Sequence, residues 1–244
     1  MRRPVRLALL GVLVSAAAYI AAAYFLLPDW WTRYELGLSR QPDEMVTRTP
    51  QDIPGDPINV GFVGTRQDIL HAMAAAGWNP ADPVTLRSSI EIGLSVVLDR
   101  PYSDAPVSRL LFEGRPQDLA FEKPSGESAD RRHHVRLWQT ALRPENELPL
   151  WLGAASFDRG VGISHDTGQI THHIAPDIDA ERDLLIADLE KICAVTSTME
   201  IEGIGETEDG RNGGGDRYFT DGLVSVGFLA VDFRKGSACA TATE

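Results

Sequence analysis

The stretch Arg131-Arg132-His133-His134-Val135-Arg136-Leu137-Trp138 decides how this sequence is read. Val135 and Leu137 share one set of alternate positions with His133, while Arg132, His134 and Arg136 share the other. A period of two is that of a strand, with opposite faces for the two sets. The same alternation predicts strands at Arg109–Glu113, Asp118–Lys123, His133–Thr140, Leu150–Phe157 and Gln169–Ile174, and again near 195–203 and 217–233. Upstream of residue 109 the pattern differs. After one strand at Ile58–Val63, Thr65 caps a helix that runs to Ala76 and stops at Gly77, and Thr85 caps a second carrying Leu86, Ile90, Leu94 and Val97. A third helix is expected from about Ala180 to Cys193, with Asp177, Asp179 and Glu181 at its positive end. Asp166-Thr167-Gly168 and Asp221-Gly222 read as turns, and the acidic, glycine-rich Gly205–Asp216 as a mobile loop. Helices followed by runs of short strands predict an α+β fold, mostly antiparallel sheet with about three helices, preceded by one N-terminal transmembrane helix.

That helix is read from Leu7 to Leu27, 21 residues with no acid or basic group. At 1.5 Å per residue it spans roughly 31 Å, the thickness of a hydrocarbon core. Arg2, Arg3 and Arg6 precede it, the first acid is Asp29, and Trp30, Trp31 and Tyr34 follow. The asymmetry places the amino terminus in the cytoplasm and the bulk of the chain across the membrane, with the aromatic residues at the headgroups. The competing reading is a signal peptide cleaved after Ala18 or Ala23, which leaves the compartment unchanged. The expected organisation is a basic tip and anchor over 1–27, a proline-rich tether over 28–56, one domain over 57–235 and a tail over 236–244. A single-pass inner-membrane protein with a periplasmic or otherwise extracytoplasmic domain follows.

The net charge is −12, and the three leading arginines mask a still more acidic remainder. Such a chain is repelled by nucleic acid, which is excluded as the main partner. Its two cysteines, Cys193 and Cys239, form no CxxC pattern, and their spacing leaves both a disulfide and two thiols open.

Five of the six histidines fall between residues 133 and 173, two pairs of them as dipeptides, His133-His134 and His172-His173. Alternation splits each pair, so that each strand shows one histidine to the core and one to a polar face. Two chemistries fit. A divalent metal such as zinc would be held by His133 and His172, or by His134 and His173, with a carboxylate such as Asp158, Asp177 or Asp166, although no HExxH or other compact ligand spacing is present. An anion, a phospholipid headgroup being the nearest for a tethered domain, would be met by Arg132, His134 and Arg136 with His173. Against both stands a solvated, salt-bridged strand face with core histidines bonded to backbone or acids. No cofactor is firmly indicated. There is no GxSxG, no P-loop and no GxGxxG opening a helix, and Ser156, Ser164 and Cys193 carry no context that marks a nucleophile.

Five ordered segments carry a resemblance. They are Pro101–Ser108, Gln117–Pro124, Arg132–Trp138, Trp151-Leu152-Gly153-Ala154-Ala155-Ser156-Phe157-Asp158 and His172-His173-Ile174-Ala175-Pro176-Asp177 through Asp183. Together, over about residues 57 to 233, the chain resembles the LssY C-terminal domain family. That resemblance implies a bacterial envelope domain of unassigned biochemistry, found behind a membrane segment or appended to multi-span proteins, some with phosphatidic-acid-phosphatase-type modules. It supplies no catalytic residues, and this chain has no recognisable phosphatase motif. The expected function is an envelope accessory or binding domain that meets the bilayer through its anchor and contacts anionic lipid headgroups or a membrane protein partner. The alternative is a histidine- or metal-assisted hydrolase of phosphorylated envelope substrates.

Overall fold

The alternation centred on Arg132–Trp138 becomes the middle of a large sheet. The computed structural model describes residues 3–27, 45–50, 52–81, 110–126, 131–143, 148–164, 170–230 and 233. The helix expected from Thr85, the turn at 166–168 and the tail lie outside the described residues.

Helix α1 (Arg3–Ala21) continues through one π turn at Ala22–Leu26. Over Leu7–Leu26 its mean hydropathy is 2.1 and only 6% of it is buried, so most of its apolar surface is left uncovered among the described residues, Ala23 being buried. It is long and apolar enough to cross a membrane.

Strands β3 (Val60–Val63), β4 (Asn79–Pro80), β7 (Leu119–Pro124), β8 (Arg132–Gln139), β9 (Leu150–Ile163), β10 (Ile170–Ile174), β11 (Val195–Glu202) and β14 (Leu223–Leu229) form the main sheet. Its order is β11-β14-β3-β9-β8-β7-β4, with β10 paired to the far half of the long β9. Every pairing is antiparallel except β3 with β14. At the crowded centre Gly153 is required, because a Cβ there would stand 2.8 Å from the Arg136 carbonyl oxygen and against Leu137. Gly222, with φ 78°, makes the expected turn before β14.

Two helices cover one face. In α2 (Arg66–Ala75), Thr65 and Asp68 form a reciprocal capping box at the residue the sequence marks as the cap. Asp177 caps α3 (Ile178–Lys191) by accepting from the Ala180 amide at 3.1 Å. Their apolar stripes (Ile69, Met73, Leu185 and Leu189) close on Phe62, Phe121, Val135, Leu137 and Trp151 of the sheet. The opposite face carries a second apolar cluster of Ile58, Leu110, Phe112, Trp138, Leu152 and Val226.

That second cluster lies partly under a small sheet, ordered β2-β1-β5-β6, of β1 (Val46–Arg48), β2 (Pro54–Pro57), β5 (Leu111–Phe112) and β6 (Arg115–Pro116). Here the sequence reading needs correction, since residues from Met45 onward were assigned to the tether. Pro54-Gly55-Asp56-Pro57 forms a strand because β2 is an edge, where a missing amide donor leaves no ladder bond unmade. Thr47 Oγ1 then donates to the Asp56 carbonyl at 2.7 Å and fixes that edge. The supposed mobile loop also needs correction. Thr207–Arg211 is strand β12, paired with β13 (Arg217–Thr220) in a separate hairpin whose turn is packed inward, with Asn212, Gly214, Gly215 and Asp216 buried. An exposed, acidic strand with a glycine has no apolar face to announce it; Tyr218 supplies the cover, its ring lying against Gly210.

Asn59, 1% exposed, joins the layers. Its amide donates to the carbonyls of Ala155 (3.0 Å) and Ile178 (3.1 Å) and accepts from the Ala155 amide at 2.9 Å. Asn59→Ala leaves two buried carbonyls and one buried amide short of partners, each costing about 1–3 kcal/mol before relaxation. The variant is expected to lose about 3 kcal/mol of stability, read as a lower urea midpoint at an unchanged denaturant slope.

Candidate functional site

On the face away from the helices, β8 presents Arg132, His134, Arg136 and Trp138. Strand β9 presents Leu152, Ala154, Ser156 and Asp158, and β7 presents Ala120 and Glu122. Register aligns them into rows. Glu122 lies opposite His134, which lies opposite Ser156, and Arg132 lies opposite Asp158. Beyond Trp138 and Leu152 the face is apolar; at the other end it is a polar layer that solvent barely touches. Arg132, His134, Arg136, Ser156 and Asp158 are 1–5% exposed, and Glu122 is 1% exposed.

The layer is tightly paired. Arg132 donates from Nη1 to Glu122 Oε2 at 3.0 Å and from Nε to Asp158 Oδ2 at 3.1 Å. Arg136 Nη1 donates to Asp56 Oδ2 at 3.2 Å, reaching across to β2. Ser156 Oγ lies 2.8 Å from His134 Nε2 and 3.3 Å from Asp56 Oδ2. On its other side, His134 Nδ1 stands 3.3 Å from Asp158 Oδ1, close but poorly aligned for a strong hydrogen bond. Asn212, in the turn of the β12–β13 hairpin, donates from Nδ2 to Asp56 Oδ1 at 3.3 Å and closes the layer from above.

Burial alone would raise the Asp158 carboxyl. The charge and contact of His134, then His172 and Arg132, outweigh it and hold Asp158 well below the usual carboxylate range. His172, half-buried on β10, is pushed down chiefly by burial, against the pull of Asp158, with the neighbouring Arg132, His134 and Arg136 adding to the depression. Burial likewise lowers Arg136, opposed by Asp56 and Asp158.

The expected sites therefore look different in space. Arg132, His134 and Arg136 do share one face, but that face is buried and lined with the chain's own carboxylates, where the sequence suggested a solvated stripe. His173, the fourth member of the anion set, is on β10 with Nδ1 2.7 Å from Asp216 Oδ1, packed over Gly162. The metal set is dispersed. His133 faces the helices, with Nδ1 2.8 Å from Glu181 Oε2 and its ring against Phe157 and Trp78. Asp177 is an exposed helix cap, and only His172 and Asp158 approach the same layer. Among the described residues no group of three or more His, Cys, Asp or Glu side chains is placed to hold a metal ion. Asp166 lies outside them. The residues the sequence reading passed over are Asp56, Glu122, Ser156 and Asn212. A pairing of β8 with its two neighbours, had it been drawn, would have brought out Glu122 and Ser156; Asp56 and Asn212 come from separate elements and carry no such signal.

The sequence model of one family, described as LssY C-terminus, matches residues 38–224. The chain belongs to that family. The match takes in the β1 and β2 strands that the tether reading had set aside, and it ends inside β14. No curated protein and no solved structure matches the chain. Among the described residues of this LssY C-terminal domain lies a groove of about 1170 Å³ that shares no residue with the ionic layer. Its walls include Val46, Phe112, Leu150, Leu152 and Ile201, with Arg48, Asp52, Glu113 and Glu202 also lining it.

Energetics argue that the layer is not there for stability. Burying an ion costs several kcal/mol, and an apolar replacement of a buried ion network is often as stable or more so. The fold demonstrates that alternative on the same sheet face, at Trp138 and Leu152. The layer also sets a pH response. In the unfolded chain His172 takes a proton near pH 6.5 and an Asp near 3.9, whereas in the folded domain both titrate lower. The unfolded state then binds more protons on acidification, so both contributions lose stability as pH falls. The His172 part is lost below about pH 6.5 and the Asp158 part below about pH 4. Thermal melts from pH 7.5 to 5 are expected to show a smaller loss of Tm in His172→Gln than in the parent; an equal loss would assign the response elsewhere.

Proposed function

We propose that the chain is a single-span envelope protein with its amino terminus in the cytoplasm and its LssY C-terminal domain on the far side of the membrane. There it acts as an accessory domain that binds a membrane partner. The observation that carries this reading is an apolar helix of membrane length, only 6% of whose Leu7–Leu26 window is buried. A helix with so much exposed apolar surface needs lipid around it. The three arginines before it and the acids after it favour export of the domain. Cys193 is disulfide-bonded, which suits an oxidising compartment; the chain's one other cysteine, Cys239, is outside the described residues.

The groove supports a binding role close to the bilayer. Its wall begins at Met45, which 17 residues separate from Leu27. Fully extended, those residues reach roughly 60 Å, a length that allows the groove to come down to the membrane surface. Anionic headgroups fit it poorly, because Asp52, Glu113 and Glu202 outnumber Arg48 there and the chain carries a net charge of −12. A protein partner offering apolar side chains flanked by basic ones fits better.

Topology tests the reading directly. The full chain is expected to resist extraction with alkaline carbonate, to keep Met1 through Ala23 by intact mass, and to give activity with a carboxy-terminal reporter that works only outside the cytoplasm. Loss of the first 18 or 23 residues would replace the anchor with a cleaved signal. A silent reporter with an active cytoplasmic counterpart would reverse the orientation.

A further inference from the structure

Within the ionic layer, three side chains stand in the order that acyl transfer requires. Ser156 Oγ contacts His134 Nε2 at 2.8 Å, and His134 Nδ1 faces Asp158 Oδ1 at 3.3 Å. The arrangement follows from sheet geometry. Ser156 and Asp158 occupy successive same-face positions of β9, and His134 lies directly opposite Ser156 on β8. We propose that Ser156 is a nucleophile toward carboxylic esters, with His134 as its general base and Asp158 orienting the imidazole. This goes beyond the accessory role, which does not depend on it.

In the step, the Ser156 hydroxyl oxygen bonds to the ester carbonyl carbon while its proton passes to His134 Nε2. The ester C–O bond then breaks, and the departing alkoxide takes that proton and leaves as the alcohol. Water, deprotonated by the same nitrogen, hydrolyses the acyl-serine and restores the hydroxyl. Three features suit this chemistry. The one hydroxyl proton of Ser156 has two acceptors in reach, Asp56 Oδ2 at 3.3 Å and His134 Nε2 at 2.8 Å, and attack draws on the arrangement in which it turns from Asp56 to the nearer histidine. Arg132 ties the second oxygen of Asp158, so that carboxylate stays ionised and in place. Arg132 and Arg136 flank His134 on the same face and supply positive field for a developing oxyanion. The long, bent approach of His134 to Asp158 is of the kind that tightens when substrate binds.

The centre is closed, since Ser156 is 1% exposed, and the part of its cover best built to move is the turn of the β12–β13 hairpin. That hairpin is a two-stranded sheet of its own, so lifting its tip breaks no ladder bond of the main sheet. Its base is fastened to the start of α3 by Thr220 to Asp179 at 2.6 Å and by the Arg182–Asp221 pair at 2.8 Å. The tip, Asn212 to Gly215, reaches the rest of the domain by longer bonds, Asn212 to Asp56 at 3.3 Å and Ser164 to the Gly214 carbonyl at 3.2 Å. Asp216 beside it is tied to β10 by His173 at 2.7 Å and the Ile174 amide at 3.0 Å, so opening pivots on Asp216. Three successive glycines, one at φ 80°, give the tip the backbone freedom to open.

The test is labelling of the detergent-solubilised full chain with a fluorophosphonate, followed by intact mass and peptide mapping. One adduct on Ser156 is expected, absent in Ser156→Ala. Asn212→Ala, which unties the tip, is expected to label several-fold faster. His134→Gln is expected to slow labelling by about a hundredfold or more. Asp158→Asn, which misorients the base, is expected to change the pH profile of labelling, a readout that a purely structural role would not move. Labelling confined to another serine, or none on Ser156 in either the parent or Asn212→Ala, overturns the proposal and leaves the anchored accessory role standing.

Discussion

Arg132 bridges three strands. Its guanidinium sits on β8 and meets Glu122 on β7 and Asp158 on β9, all within a region almost closed to water. Removing any one of the three would leave an uncompensated buried charge, a change that costs about 3–5 kcal/mol in such networks. The pairing also sets orientation. A slip of one residue between β8 and β9 would turn Arg132, His134 and Arg136 toward the helices and put Val135 and Leu137 among carboxylates. The apolar cores would tolerate many substitutions of similar volume, whereas this register admits one arrangement of charges.

The rest of the polar layer follows from that constraint. With Asp158 held on one side by Arg132, its other oxygen faces His134, and His134 in turn faces Ser156. Arg136, two residues along the same face, turns to Asp56 on β2 and draws the small sheet over the main one. Asp56 then receives Asn212, so one carboxylate gathers the edge strand, the central strand and the hairpin turn. The layer thus links elements that are far apart in the chain, from residue 56 to residue 212, without sharing the apolar contacts of either core. The helix side of the sheet has its own lesser version, in which His133 meets Glu181.

Family membership and the membrane-length helix speak to where the protein works, and the ionic layer speaks to what chemistry its domain can hold. The two are spatially separate. The groove that begins at Met45 is open and lined by apolar side chains with acids among them, while the layer is polar and shut under a glycine turn. A protein that binds through one region and carries reactive groups in another can keep those groups from water until the turn moves.

Sequence periodicity by itself determined a good deal here: the apolar N-terminal helix, the capped helix after Thr65, the helix with acids at its start from about residue 180, and the strands around residue 133. Each is a local property, set by side-chain spacing and backbone capping within a few residues. Alternation also determined that Arg132, His134 and Arg136 share a face. Only the tertiary structure decided that this face is buried, because burial depends on what β2 and the β12–β13 hairpin lay over it, and neither element has an apolar pattern to reveal it. The same holds for the metal reading, since ligands on different strands converge only if their faces coincide, and His133 and His172 do not share one. Ser156 carried no motif because its partners arrive across a hydrogen-bonded register instead of along the chain. Register is a relation between strands, and one strand's sequence does not contain it.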